Sequence, residues 1–361
     1  MPSRIDALTG LRFFAALAIV LHHLPGLLWL PEGAFGPLVL DQGVSFFFVL
    51  SGFVLQHAYR SRFHQIGYWR FLALRFFRLW PVHIVVVAIV YSRGPRWFDT
   101  DDVISSVFLL QAWRSDLAGV WAINGPAWSI SAEVFFYAMF PLLTGVAAKR
   151  PMGVLLLSFV ATALYFGLLT LANSHGFNSE SYEFSNPIAR LFEFVFGMCL
   201  LEFISRYGAP KGTRAEVLAI ALVALVFVGV SYLVFSLPSS PFTAWLDSAG
   251  GAPAFAVLIA VFAQQSGALS RALSSKPLVY LGDTSFALYL AHQPLIFYAS
   301  GRFGETPIGL QIAAFTAVLG ILVCALHHFV EKPTMSLAKR WLLERSRSEN
   351  KAQKPAPVEQ A

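Results

Sequence analysis

Residues 8–27 read LTGLRFFAALAIVLHHLPGL, twenty positions whose only ionisable groups are Arg12, His22 and His23. A helix of roughly 20 apolar residues matches the hydrocarbon core of a bilayer, about 30 Å thick. Comparable runs recur at approximately 36–57, 76–93, 127–147, 152–172, 187–205, 215–236, 248–264, 280–298 and 308–329. The expected fold class is therefore all-α, a polytopic integral membrane protein with about ten transmembrane helices. Composition agrees: 57% of the 361 residues are apolar and 13% charged, with mean hydropathy +0.63. A soluble domain carries about 45–50% apolar and about 25% charged residues, so a water-soluble enzyme is excluded. The one long connection runs from Ser92 to Pro126. Its apolar stretch Val103–Trp113 is too short to span and reads as re-entrant or interfacial.

Basic residues orient the chain. With the N-terminus cytoplasmic, the inner segments hold Arg4, Arg12, the Arg60–Arg78 group, Lys149, Arg150, Arg206, Lys211, Arg214, Arg271, Lys276 and the bases from Lys332 to Lys354. The outer loops keep only Arg93, Arg96, Arg114 and Arg302, as the positive-inside rule requires, and both termini fall in the cytoplasm. The net charge of +6 thus answers to a lipid bilayer rather than to nucleic acid. Cys199 and Cys324 sit in apolar runs, too few and too buried for a disulfide scaffold or a thiolate metal site. No small-x-small cleavage site follows the first run, which reads as an uncleaved helix. Residues 1–343 are expected to form one membrane domain and 344–361 a disordered cytoplasmic tail, rich in charge and proline. No internal repeat marks an inverted-repeat transporter.

Ionisable residues inside a membrane cost several kcal/mol and mark function by default. Arg12 and His23 are eleven residues apart, about three turns, on one stripe about 16 Å long; His22 points about a quarter turn away. Glu133 sits in the apolar run AWSISAEVFFYAMFP with Trp128, Ser129 and Ser131 nearby, and Tyr137 one turn on shares its face. His23 and Glu133 both fall toward the outer half of the membrane, where they could meet; a structural clasp between helices is the alternative. Arg75 and Arg78 share a face at the cytoplasmic mouth of the third span, with Arg70 upstream. That cluster fits anionic lipid and topology, or the phosphates of a cytosolic ligand, equally well. Arg190 and Glu193 read as a self-neutralising pair, Tyr289 and His292 as lesser candidates beside a proline kink. No zinc-type histidine spacing and no nucleophile-elbow serine occurs, and Ser51-Gly52 reads as close helix packing.

Several ordered motifs run through the chain: Arg12-x10-His23; FFFVLSGFVL with Ser51 and Gly52; Arg75-x-x-Arg78-Leu-Trp-Pro81; Trp128-Ser-x-Ser-x-Glu133-x-x-Phe136-Tyr137; Phe194-x-x-Gly197; Tyr289-Leu-x-His292; and Glu331-Lys-Pro333. In these the sequence resembles the bacterial membrane acyltransferase family 3, the O-acyltransferases of cell-surface polysaccharides, from about Ile5 to Pro333. The resemblance implies a multi-pass protein of the bacterial cytoplasmic membrane. It moves an acyl group, usually acetyl, from cytosolic acyl-CoA to a hydroxyl of a glycan on the far side. Acyl-CoA would be a co-substrate rather than a bound cofactor, and an activated thioester needs no metal. On that reading His23 is general base or nucleophile, Glu133 orients it or balances its imidazolium, and Arg12 holds part of the coenzyme or closes its tunnel. Arg75, Arg78 and Arg70 would take the coenzyme phosphates. Trp128, Ser131, Tyr137, Arg190, Glu193, Tyr289 and His292 would line the substrate path. A secondary transporter or flippase using the same charges as proton relays is the rival class. A small non-glycan acceptor is the rival within the family.

Overall fold

The apolar runs fold as helices because hydrocarbon offers no partner for an exposed peptide group. A computed structural model describes residues 4–27, 40–300, 302 and 306–344, and the regular structure among them is helical, without strands. Among the helices of eight residues or more, the chain begins with α1 (Asp6–Leu27), α2 (Gly43–Tyr59), α3 (Tyr68–Arg93) and the short α4 (Thr100–Val107). Then come α5 (Trp128–Lys149), α6 (Pro151–Ser174), α7 (Pro187–Tyr207), α8 (Thr213–Ser236), α9 (Pro241–Ala249) and α10 (Ala252–Phe262). The chain continues with α11 (Lys276–Ala299) and α12 (Ile308–Ala325), and a π-helical turn at Leu326–Glu331 leads into α13 (Lys332–Lys339).

Seven helical stretches among the described residues are long and apolar enough to cross a membrane: α1, α3, α5, α6, α8, the α9–α10 pair, and α12 with its extension. The other three expected spans are helices of different make-up. α2 has 17 residues, α7 carries Arg190, Glu193, Glu202 and Arg206, and α11 carries Lys276 and Asp283. The protein is a polytopic helical membrane protein. Its outer faces say the same: α6 exposes Leu156, Leu157, Leu164 and Leu168, and α8 exposes Leu218, Leu225 and Phe235. In water such faces would aggregate, whereas lipid requires them.

Two expectations change in detail, and a third, that Val103–Trp113 is too short to span, holds. The span placed at 248–264 breaks in two at Gly250-Gly251, where the Gln42 side chain presses so close that a Cβ on Gly251 would lie 2.3 Å from its Oε1. The Val103–Trp113 stretch does not span: α4 is closed at its start by an Asp99–Asp102 capping box, and Leu109 takes a φ of 57° before a 3-10 turn at Gln111–Trp113. Cys324 is exposed rather than buried, and both cysteines are free. The expected tail, 344–361, lies outside the described residues except for Glu344, as do residues 36–39 of the second expected span.

Two close crossings position everything that follows. α2 meets α7 at Gly52 and Gly197, where an added Cβ would fall 1.9 Å from the Phe194 carbonyl oxygen or 1.9 Å from that of Val49. α1 lies along α11, with Gly282 against the Thr9 carbonyl at the same hypothetical 1.9 Å. Glycine lets the backbones touch, which is how helices without a hydrophobic drive between them gain contact in lipid.

Candidate active site

Between α1, α2, α3, α5 and α11 lies a cavity of about 340 Å³. Helical period explains its walls. Ser129, Glu133 and Tyr137 are each four residues apart and stand on one face of α5, while Arg75, Arg78 and Leu79 make one face of α3. α1 contributes Thr9 and Arg12, α2 contributes Ser51 and Phe48, and α11 contributes Asp283, Ser285 and Tyr289.

Cations outnumber anions there: Arg4, Arg12, Arg75 and Arg78 face Glu133 and Asp283. Arg4 is already held by Asp283 through paired bonds of 3.1 and 3.0 Å. The Glu133 carboxylate accepts from the Tyr137 hydroxyl at 3.0 Å, and Ser51, Arg78 and Arg12 line the same cavity. Arg75 donates to the Tyr59 hydroxyl at 2.9 Å and lies over the Tyr59 and Phe71 rings, 5.4 and 6.0 Å from their centroids. Its buried Nε has no partner. Arg12 faces Arg78 across the cavity, with Glu331 and Asp283 also within electrostatic reach. A pocket with surplus guanidinium groups and unused donors suits a ligand with several anionic oxygens.

A second cluster sits further along the same helices. The His23 ring contacts the His292 ring, with Nδ1 of His23 3.3 Å from Nε2 of His292 and 2.9 Å from the Ile19 carbonyl oxygen. The His292 Nδ1 lies 2.6 Å from the Tyr289 carbonyl oxygen. Tyr289 links the two clusters: its ring is 5.9 Å from that of His292, and its hydroxyl is in the cavity wall, 2.8 Å from Ser129 Oγ.

The structure therefore sorts the sequence candidates into three groups. Arg12, Arg75, Arg78, Glu133, Tyr137 and Tyr289 come together at the cavity. His23 and His292 come together beside it. The rest are engaged elsewhere. Ser131 donates to the Leu109 carbonyl at 2.6 Å and ties the connection between α4 and α5 to α5. Trp128 stacks on Arg190 and against Phe48 and Phe184. Arg190 and Glu193 close on each other at 2.7 and 2.9 Å. Arg70, half-buried near the start of α3, does not line the cavity.

The expected meeting of Glu133 with His23 is not found: among the described residues they share no hydrogen bond or ion pair, because the Glu133 face of α5 turns to α3 and Ser51. Sequence reasoning also missed Arg4, Ser51, Ser129 and Asp283. The period of α5 would have found Ser129, one turn before Glu133. Nothing local announces the Arg4–Asp283 pairing across 279 positions.

The model of a family described as an acyltransferase domain matches residues 5–328, which includes the histidine pair and every cavity residue but Arg4. The chain belongs to this acyltransferase family, Acyl_transf_3. It is 29% identical to Acyltransferase MdmB of Streptomyces mycarofaciens, over 93% of each chain. It is 26% identical to O-acetyltransferase OatA of Staphylococcus aureus (strain NCTC 8325 / PS 47), over 92% of this chain and 57% of that one. No solved structure matches. The protein is thus a membrane acyltransferase, an enzyme of the non-aminoacyl kind, and its family membership removes the transporter reading.

Proposed function

We propose that the enzyme takes an acyl group, acetyl in the simplest case, from cytosolic acyl-CoA and passes it to a hydroxyl of an exported glycan at the bacterial cytoplasmic membrane. The observation that carries this is the surplus of arginine in a membrane-embedded cavity beside a histidine pair. Coenzyme A presents phosphates and a long narrow arm. Arg75, Arg78 and Arg12 would neutralise the phosphates, and the arm would bring the thioester toward His23, roughly 16 Å from Arg12 along α1. With the N-terminus cytoplasmic, the cavity is filled from inside and the hydroxyl arrives from outside.

His23 takes the hydroxyl proton as oxygen attacks the thioester carbonyl. Collapse of the adduct breaks the C–S bond, and the proton returns from His23 to the departing thiolate. Glu133, held by Tyr137 and drawn away from His23, would balance part of the arginine charge in the cavity. The test is purified enzyme in lipid with acetyl-CoA and candidate acceptors, following thiol release and ester formation together. Thiol release matched by an ester on a glycan is expected. An ester formed only on a small non-glycan acceptor would replace the glycan, and an acyl donor other than a coenzyme thioester would overturn the reading of the arginines.

A further inference from the structure

Of the two rings at the centre of the site, only one has a nitrogen left over. The Nδ1 of His292 lies 2.6 Å from the Tyr289 carbonyl oxygen. A carbonyl only accepts, so Nδ1 of His292 carries the proton and its Nε2, in the neutral ring, carries a lone pair. That lone pair faces Nδ1 of His23 at 3.3 Å. The Nδ1 of His23 also lies 2.9 Å from the Ile19 carbonyl oxygen. Both of its neighbours accept, so Nδ1 of His23 donates. The tautomer follows: Nε2 of His23 is bare.

We infer that His292 is a positioning residue that holds His23 with Nδ1 protonated and Nε2 free to act as base, and that steadies the imidazolium formed during transfer. The inference rests on the acyl-transfer reading above. Glu133 was the sequence candidate for this work, but its carboxylate accepts from Tyr137 on its own helix instead. A neutral imidazole does the job differently from a carboxylate. When Nε2 of His23 accepts the hydroxyl proton, its Nδ1–H becomes a stronger donor, and Nε2 of His292 joins the Ile19 carbonyl in accepting it. His292 keeps its own proton on the Tyr289 carbonyl throughout, so the proton taken from the hydroxyl is the one returned to the thiolate. His292 buries completely, which removes water as a competing partner and strengthens the bond.

His292 therefore acts through His23 and touches neither substrate. Replacing it by Phe keeps the volume and removes the acceptor, and kcat is expected to fall about 10- to 100-fold with both KM values unchanged, the loss of one hydrogen bond to a charged group. His292→Gln puts an amide oxygen within reach of Nδ1 and should recover most of that loss. A change in acceptor KM with kcat intact would make His292 a substrate ligand and overturn the inference, as would equal losses in Phe and Gln. Nitrogen-15 spectra of histidine-labelled wild-type enzyme in lipid nanodiscs give an independent check. They should show His23 with a protonated Nδ1 and an unprotonated Nε2, and the reverse assignment overturns the inference whatever the variants do. Failure of the underlying reading looks different: a fully active His23→Ala strikes both, whereas an inactive His23→Ala beside a fully active His292→Phe strikes this inference alone.

Discussion

Arg190 and Arg75 are guanidinium groups on neighbouring parts of one helical bundle, and their surroundings could hardly differ more. Arg190 is 1% exposed and saturated. It gives two bonds to Glu193, one to the Ser248 carbonyl at 2.9 Å and one to the Phe184 carbonyl at 3.3 Å, and it lies between the Phe48 and Trp128 rings. Arg75 opens on a cavity with an unpartnered Nε and other arginines for company. A buried charge in a membrane protein is therefore no sufficient mark of function. Surplus charge next to space is the better mark, because only unspent donors can meet a substrate.

Four measurements break or sharpen that contrast. The largest effect belongs to the saturated arginine. Arg190→Ala leaves Glu193 buried without a partner and should cost about 3–5 kcal/mol of stability, read as a large fall in Tm or as loss of folded protein from the membrane. A normal Tm would mean that Arg190 is not the clasp its bonds describe. Next comes His23→Ala, expected to lose about 10²–10⁴-fold in kcat at unchanged Tm, with His22→Ala losing far less since it stands about a quarter turn off the Arg12–His23 stripe. Equal losses in the two would move the base to another residue.

Charge reversal at Arg75 and Arg78 together should raise KM for acetyl-CoA while leaving Tm and the acceptor KM nearly alone. Arg→Lys at the same positions should rescue in part, since it restores charge and loses the planar fork. A fall in Tm like that of Arg190→Ala would erase the distinction between the two arginine environments. The smallest effect lies outside the membrane. Hydrogen bonds from Arg114, helped by the Gly119 N–H, hold the Asp116 carboxyl below the usual carboxylate range. The stabilisation is present above the unfolded carboxylate's value, about 3.9, and fades as pH falls through the lowered folded value. Asp116 is half exposed, so Asp116→Asn should change Tm only slightly at neutral pH and flatten its acid dependence.

Much of this was legible in the chain. Hydropathy and run length gave the all-helical membrane class, and the period of 3.6 put Arg12 on the stripe of His23, Glu133 on the face of Tyr137, and Arg75 on the face of Arg78. The ordered motifs pointed to the family that the comparison with known sequences establishes. The misreadings share one cause. Spacing within a helix says which residues look the same way and is silent about what they look at. Glu133 was expected to face His23 and faces the cavity arginines, and Ser51 was read as packing and lines the cavity beside Glu133.

The sequence by itself determined the solvent, the helices and the residues that share each helical face, because those follow from transfer energies and local backbone geometry. Only the tertiary structure decided that the charges divide into a saturated clasp and an open cavity, and that His292 rather than Glu133 stands behind His23. Those partnerships depend on which helices touch and at what rotation. Rotation is set by the backbone contacts that Gly52, Gly197 and Gly282 allow, joining positions far apart in the chain that no local rule connects.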